Sequence, residues 1–348
     1  MRVADFAFDL PPELIAQDPP VERGTSRLLV LDRASGAVTH AHVCDLLRWL
    51  RAGDVLVLND TKVFPARLLG TREPGGGAVQ CLLVSQVDEA RWEALVHPGQ
   101  RLKPGRRVRF ERGGHVLHGE VLEQRFFGRR LVRLWSDEPR PVTDVIDAIG
   151  HVPLPPYIKR PDLDSDRERY QTVFARERGS VAAPTAGLHF TEAMLREIAD
   201  AGIEPVRITL HVGYGTFKPV RVADVEAHTV DPERWTIDVD AAGRLNAALD
   251  ARRRIVAVGT TTTRALETAA ALGDGHIAPG QGESSLFIYP GHRFRAIGGL
   301  MTNFHLPESS LLMLVSAFGG RERVLAAYAE GVRERYRFYS YGDAMLLV

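Results

Sequence analysis

Hydrophobic and polar positions divide the 348-residue chain into three textures. Through about Leu69, a Pro-rich opening (Leu10-Pro11-Pro12) precedes an apolar run, Val55-Leu56-Val57-Leu58, that stops at Asn59-Asp60-Thr61. A short apolar run bounded by polar turn residues predicts a strand. From Glu73-Pro74-Gly75-Gly76-Gly77 onward, short runs alternate with turns at Pro104-Gly105 and Gly113-Gly114. Val79–Val84, Trp92–Val96, Val108–Phe110, His115–Leu122 and Leu131–Trp135 read as five strands without a helical period, which suggests a small barrel.

A stiff Pro153-Leu154-Pro155-Pro156 linker opens the third texture. There Arg207–Val212 and Ile255–Val258 read as strands ending in Gly/Thr loops, and helices are predicted over about 192–201, 264–272, 308–318 and 321–336. Thr191 suits the N-cap of the first helix and Pro307 the first turn of another. Leu311, Leu312, Leu314, Val315 and Phe318 line one face at helical spacing. Strand–loop–helix order predicts an α/β fold, a helix-covered, mostly parallel sheet. The Val55 strand is expected to join that sheet. Residues 1–69 and 153–348 would then form one discontinuous domain, with 70–152 an inserted β-barrel.

Open α/β sheets bind ligands outside the carboxyl ends of their strands. Five loops at such positions carry polar clusters: Asn59-Asp60-Thr61-Lys62; 183–191, with Thr185, Gly187 and His189; 211–217, with His211, Gly213 and Gly215; Gly259 through Arg264; and 302–310, with Asn303, His305 and Glu308. In the fourth, a Gly and four Thr before a helix either offer backbone N–H groups to an anion or simply cap the helix. It lacks the Gly-Lys-Ser/Thr of a nucleoside-triphosphate loop, and Gly213-x-Gly215 leads into Lys218-Pro219 rather than a helix, so the dinucleotide fingerprint fails. His189, His211 and His305 are candidates for proton transfer or for structural hydrogen bonding. Asp60 could form an Asx-turn and Lys62 could be a surface charge or a phosphate contact. Glu308 is favoured in a first helical turn by the dipole alone. No spacing reads as a metal site; His40-x-His42 has no third ligand nearby. The aromatic segment Tyr336-Arg337-Phe338-Tyr339-Ser340-Tyr341 reads as a buried terminal strand, with stacking on bases as its alternative.

Composition adds a constraint and removes one. With 44 Lys plus Arg against 44 Asp plus Glu, no global field gathers an acidic partner. The distribution is uneven, however. From Arg101 to Arg133 ten cations face only Glu111, Glu120 and Glu123. Nine of the ten are Arg, suited to bidentate phosphate contacts. Cys44 and Cys81 have no redox or metal spacing, no apolar leader opens the chain, and no apolar stretch approaches the roughly 20 residues that span a bilayer. A cytoplasmic protein without a membrane partner is expected.

Taken in order, several runs resemble the S-adenosylmethionine:tRNA ribosyltransferase-isomerase family of queuosine biosynthesis. They are Asp5-Phe6 with Pro11 through Ile15, Leu58 through Val63, Tyr170 through Val173, Ala182 through Phe190, Leu210 through Gly213, Val258 through Thr261, Thr302 through Ser309, and Tyr341 through Met345. Tyr214, Thr262-Thr263 and Phe174 depart from the family pattern; Tyr214 could crowd a ligand loop. The resemblance implies movement of the ribosyl group of S-adenosylmethionine onto 7-aminomethyl-7-deazaguanine at a tRNA wobble position. Rearrangement would give epoxyqueuosine, with adenine and methionine leaving. It also implies an inserted barrel, a monomer, no permanently bound cofactor, and S-adenosylmethionine as co-substrate.

That chemistry needs a base for the acidified ribose methylene, a neutral amine and help for leaving adenine. His189, His305, Asp60 and Glu308 are the candidates. Asn59, Thr61, Lys62, Thr185, Gly187, His211, Gly213, Gly215, Thr260, Thr261, Arg264 and Asn303 are expected around the substrate, with the 260–264 helix start seating the methionine carboxylate. Arg106, Arg107, Arg109, Arg129 and Arg130 would grip tRNA phosphates. A conventional methyltransferase would need a Gly-rich first loop, which is not found, and a purely RNA-binding protein would leave the five polar loops unexplained.

Overall fold

The apolar run at 55–58 lies at the middle of the molecule because both of its faces are covered. In this computed structural model, which describes residues 1–348 other than Phe127 and Phe217, Val55 and Val57 point into one core and Leu56 and Leu58 into another. A strand buried on both sides needs no polar alternation, and so none is seen.

The larger domain opens with β1 (Arg27–Leu31), β2 (Val38–His42), β3 (Val55–Asn59) and the short β4 (Thr61–Val63). Six strands then form the barrel: β5 (Arg67–Glu73), β6 (Ala78–Gln86), β7 (Arg91–His97), β8 (Arg107–Arg112), β9 (His115–Gln124) and β10 (Arg129–Trp135). After α1 (Val142–Ile149) and α2 (Asp166–Arg169), the chain returns through β11 (Glu177–Ser180), α3 (Glu192–Asp200), β12 (Glu204–Leu210), β13 (Glu233–Ile237) and α4 (Val239–Asp250). It finishes with β14 (Ile255–Val258), α5 (Thr260–Leu272), β15 (Gly280–Ser284), β16 (Gly299–Asn303), α6 (Ser310–Gly319), α7 (Arg321–Arg333) and β17 (Ala344–Leu347).

Nine strands make one sheet in the order β15-β13-β12-β3-β14-β16-β17-β1-β2. The central four, β12, β3, β14 and β16, are mutually parallel, and β17 is parallel to β1. The remaining pairs are antiparallel, so the whole is a mixed sheet with a parallel heart. Helices α4, α5, α6 and α7 cover one face, while α3 covers the other.

The barrel closes as β10-β7-β6-β5-β8-β9, entirely antiparallel. Five strands were expected; the sixth is β5, which starts at Arg67, before the expected boundary at residue 70. Alternating residues such as Val79, Cys81, Val108 and Phe110 fill its interior, and α1 adds Val145, Ile146 and Ile149 to that core. Ion pairs Arg67–Asp162 (2.6 Å), Arg112–Asp164 (3.3 Å) and Arg129–Asp231 (3.1 Å) tie the barrel back to the sheet domain.

Three helix boundaries differ from expectation. Helix α5 begins at Thr260, four residues early, and α7 ends at Arg333 rather than near 336. Helix α6 begins at Ser310, with Ser309 accepting the Leu312 N–H at 3.2 Å as its N-cap. Pro307 and Glu308 therefore precede the helix, and Glu308 sits at φ 58° in the left-handed region. Thr191 caps α3 as predicted, accepting from Met194 at 3.1 Å. The aromatic segment 336–341 is mostly interior, with Tyr336, Phe338 and Tyr341 buried just ahead of β17. No helix among the described residues is long and apolar enough to cross a membrane.

Candidate active site

A cleft opens at the carboxyl ends of β12, β14 and β16. Four of the five polar loops line it: Thr185 and its neighbours, Val212 with Thr216 and Lys218, Gly259-Thr260-Thr261, and Thr302, Asn303 and His305 through Leu311. Tyr157, Tyr339 and Ser340 complete the wall. At Gly259 the chain turns from β14 into α5 with φ 98°, a conformation open to glycine at little cost. The side chains of Thr262 and Thr263 turn back to the Val258 and Gly259 carbonyls at 2.6 and 3.2 Å. Thr260 and Thr261, in the first turn of α5, remain at the cleft, where the first helical N–H groups have no intrahelical partner.

The loop after β3 lies beneath the cleft instead of lining it. Asn59 bonds the backbone of Leu210 in both directions, at 2.9 and 3.0 Å, and reaches Thr261 Oγ1 at 3.5 Å. Thr61 joins Ser180 (2.9 Å) and His211 Nδ1 (2.8 Å), so neither Thr61 nor His211 faces the cleft. Asp60 is sealed away, accepting from Thr209 at 2.7 Å and pairing with Arg176 at 3.1 Å; burial pushes its carboxyl up. Lys62 points into a separate depression beside Arg178 and Asp147. These residues organise the sheet ends and do not line the cleft.

The histidines divide. His305 lines the cleft with Nε2 2.8 Å from Thr302 Oγ1, and burial pushes its pKa down to about 3. His189 lies behind the wall; burial first, then Arg337 and Arg23, push it down to about 4. Its Nε2 meets Asn303 Nδ2 at 3.1 Å, and the same amide nitrogen donates to the Tyr339 carbonyl, also at 3.1 Å. A carbonyl only accepts, so the Asn303 amide is fixed with nitrogen on this side and His189 Nε2 must be the unprotonated nitrogen. His189 therefore orients Asn303, which does line the cleft. Both imidazoles are neutral near pH 7.

Arg264 is corrected most sharply. It is buried and spends its guanidinium on Glu233 (2.6 Å) and on the Ser284 and Leu286 carbonyls, each at 3.0 Å, leaving the cleft to others. Glu233 was not anticipated. Buried within a polar stretch, it also accepts from Gly213 N (2.9 Å) and Thr216 Oγ1 (3.0 Å), so one carboxylate fixes both the 213–216 loop and α5. Gly215 makes room for protein, since a Cβ there would come within 2.8 Å of Asp231, whereas a Cβ on Gly213 would meet nothing nearer than Glu233 at 3.8 Å; neither glycine lines the cleft. Gly187 likewise packs on Phe174 and Thr172. Tyr214 packs against the barrel core and does not crowd the cleft. Among the described residues Glu308 is the one carboxylate that lines the cleft, exposed and in no ion pair, while Lys218 is held by Asp231 at 2.7 Å. Tyr157, whose ring centroid stands 3.8 Å from that of Tyr339, was also missed.

On the barrel the five arginines separate as well. Arg106, Arg107 and Arg109 are exposed, although Arg109 pairs with Glu111 at 2.9 Å. Arg130 is buried and donates to the carbonyls of Leu102, Arg129 and Gly99, so it is structural. Arg129 is committed to Glu93 (3.2 Å) and Asp231 (3.1 Å). Arg101, Lys103, Arg106 and Arg107 make no ion pair among the described residues. No group of three His, Cys, Asp or Glu among those residues could hold a metal.

A mixed α/β sheet with a cleft at its strand ends lined by four loops bearing polar residues, and a barrel inserted after its first strands, defines a two-domain α/β enzyme. The family model described as queuosine biosynthesis protein matches residues 3–347. A Symbiobacterium thermophilum protein named S-adenosylmethionine:tRNA ribosyltransferase-isomerase is 50% identical over 348 residues, all of both chains. A Moorella thermoacetica protein of the same name is also 50% identical over 348 residues, again all of both chains. The crystal structure of a Thermotoga maritima S-adenosylmethionine tRNA ribosyltransferase matches with TM-score 0.55 and 34% identity, covering 99% of this chain and 100% of that one. This chain belongs to the queuosine biosynthesis protein family.

Proposed function

We propose that this enzyme transfers and isomerises the ribosyl group of S-adenosylmethionine onto 7-aminomethyl-7-deazaguanine at the wobble position of tRNA, giving epoxyqueuosine and releasing adenine and methionine. The observation that carries the reading is the presence of two chemically distinct sites. One is the cleft with the α5 start, Asn303, His305 and Glu308. The other is a barrel bearing unpaired exposed cations at Arg101, Lys103, Arg106 and Arg107. A small sulfonium co-substrate fits the first and a polyanion the second. S-Adenosylmethionine is a co-substrate here, and the enzyme is proposed to act as a cytoplasmic monomer.

Within the cleft, the first N–H groups of α5 with Thr260 and Thr261 seat the methionine carboxylate. Glu308 is the group that takes a proton, from the ribose methylene acidified by the sulfonium or from the attacking ammonium. His305, held neutral, donates a hydrogen bond to leaving adenine; a histidine pushed down to about 3 is too weak a base to store the proton. Asn303, oriented by His189, positions the co-substrate between them. Glu308→Gln should lower kcat by at least about a hundredfold, within the usual range for a general base.

The test is incubation with S-adenosylmethionine and tRNA bearing the aminomethyl-deazaguanine base, followed by nucleoside mass analysis. Epoxyqueuosine with one adenine and one methionine per turnover is expected. S-Adenosylhomocysteine without the epoxy nucleoside would overturn the proposal in favour of methyl transfer.

A further inference from the structure

We infer that Phe126, at the tip of the β9–β10 hairpin, is a stacking platform for an unpaired base of the RNA substrate beside the reacting nucleotide. The inference rests on the tRNA reading above. Phe126 is 87% exposed and is the one exposed aromatic side chain among the described residues. Scattered surface hydrophobics are ordinary, but this one is presented from a fixed turn. Gly128 closes the turn at φ 79°, and Arg125 N donates to the Arg129 carbonyl at 2.9 Å. Both arginines also donate to the same Glu93 carboxylate on β7. A tip anchored at both feet projects its ring into water instead of folding it onto the barrel.

Its surroundings identify the partner. The second Nη of Arg129 bonds Asp231 at 3.1 Å, and Asp231 holds Lys218, which lines the cleft, at 2.7 Å. Two ion pairs thus connect the hairpin tip to the cleft wall. The same barrel carries the unpaired cations Arg101, Lys103, Arg106 and Arg107. A partner that satisfies both features has a chain of phosphates and free π-faces, which describes single-stranded RNA of a loop. Arg125 and Arg129, already neutralised by Glu93 and Asp231, leave the tip itself less cationic than its flank, so stacking rather than charge is its contribution.

The full-length protein with Phe126→Ala, Phe126→Leu, Phe126→Tyr and Phe126→Trp tests this. With Phe126→Ala the Kd for tRNA should rise about tenfold, within the range for loss of one base–aromatic stack. The KM for S-adenosylmethionine and the thermal midpoint should stay at wild-type values, and the salt slope of tRNA binding should be unchanged because no cation is removed. Tyr should restore binding and Leu should not, and Phe126→Trp should gain a fluorescence quenched by tRNA. Wild-type affinity in Phe126→Ala, or rescue by Leu equal to that by Tyr, would overturn the inference while leaving the functional reading intact. So would a concentration-dependent dimer abolished by Phe126→Ala, which would assign the ring to a protein contact. Failure of the unmodified protein to bind tRNA would overturn the functional reading and this inference together.

Discussion

The layer behind the cleft and the surface of the barrel both carry arginines, yet the two regions use them in opposite ways. Behind the cleft Arg264 is sealed against Glu233 and two carbonyls, and its charge is consumed in holding a loop to a helix. On the barrel Arg106 and Arg107 stand in water with no partner among the described residues, while Arg130, a few strands away, is as buried as Arg264. The lesson concerns where a charge acts. A buried, fully bonded ion sets geometry; an exposed, unpaired one is available to a ligand. Local surplus in the sequence overstates the barrel's field, because Arg109, Arg125, Arg129 and Arg133 are neutralised by Glu111, Glu93, Asp231 and Glu120.

That contrast can be broken at either end. The largest effect is expected behind the cleft. Arg264→Met leaves Glu233 buried and unpaired and should cost about 3–5 kcal/mol of stability in urea unfolding, with loss of S-adenosylmethionine binding. A cost below about 1 kcal/mol would show that the pair does not organise the wall.

Acid should act next. His189 and His305 titrate near 4 and 3 in the folded protein against about 6.5 unfolded, so the unfolded state binds more protons as pH falls below 6.5. Stability should therefore decline on acidification from pH 6.5 toward 4, by about 1.4 kcal/mol per pH unit for each histidine. Replacing both by Asn should flatten that part of the profile in thermal unfolding, and an unchanged profile would contradict their neutrality. On the barrel, Arg106→Glu with Arg107→Glu should weaken tRNA binding and reduce its salt slope by about two. Arg130→Gln should alter folding stability more than that slope.

What the sequence revealed and withheld follows from the same physics. The buried β3 run and the two-residue alternation of β6, β8 and β9 were readable because their cores use large apolar side chains. Helix α4 escaped because its inward face is Ala241, Ala242, Leu245 and Ala248, a weak hydrophobic stripe. Strand β16 was hidden behind Gly298-Gly299, β15 is a short, polar edge element, and β13, between β15 and β12, alternates over only five residues. Four of the five loops after strands line the cleft, since that rule depends only on topology. Which polar residues face the cleft was not readable. Arg264 and Glu233 are 31 residues apart, and Arg130 finds its carbonyls at Leu102 and Gly99, so neither commitment leaves a local signature.

The central claim is that the two substrates occupy the two regions separately. Steady-state kinetics of Arg106→Glu/Arg107→Glu, varying each substrate at saturation of the other, tests it most directly. The account predicts a KM for tRNA raised at least about tenfold, about 1.4 kcal/mol, with the KM for S-adenosylmethionine and kcat unchanged. A rise in the KM for S-adenosylmethionine with that for tRNA unaltered would contradict it.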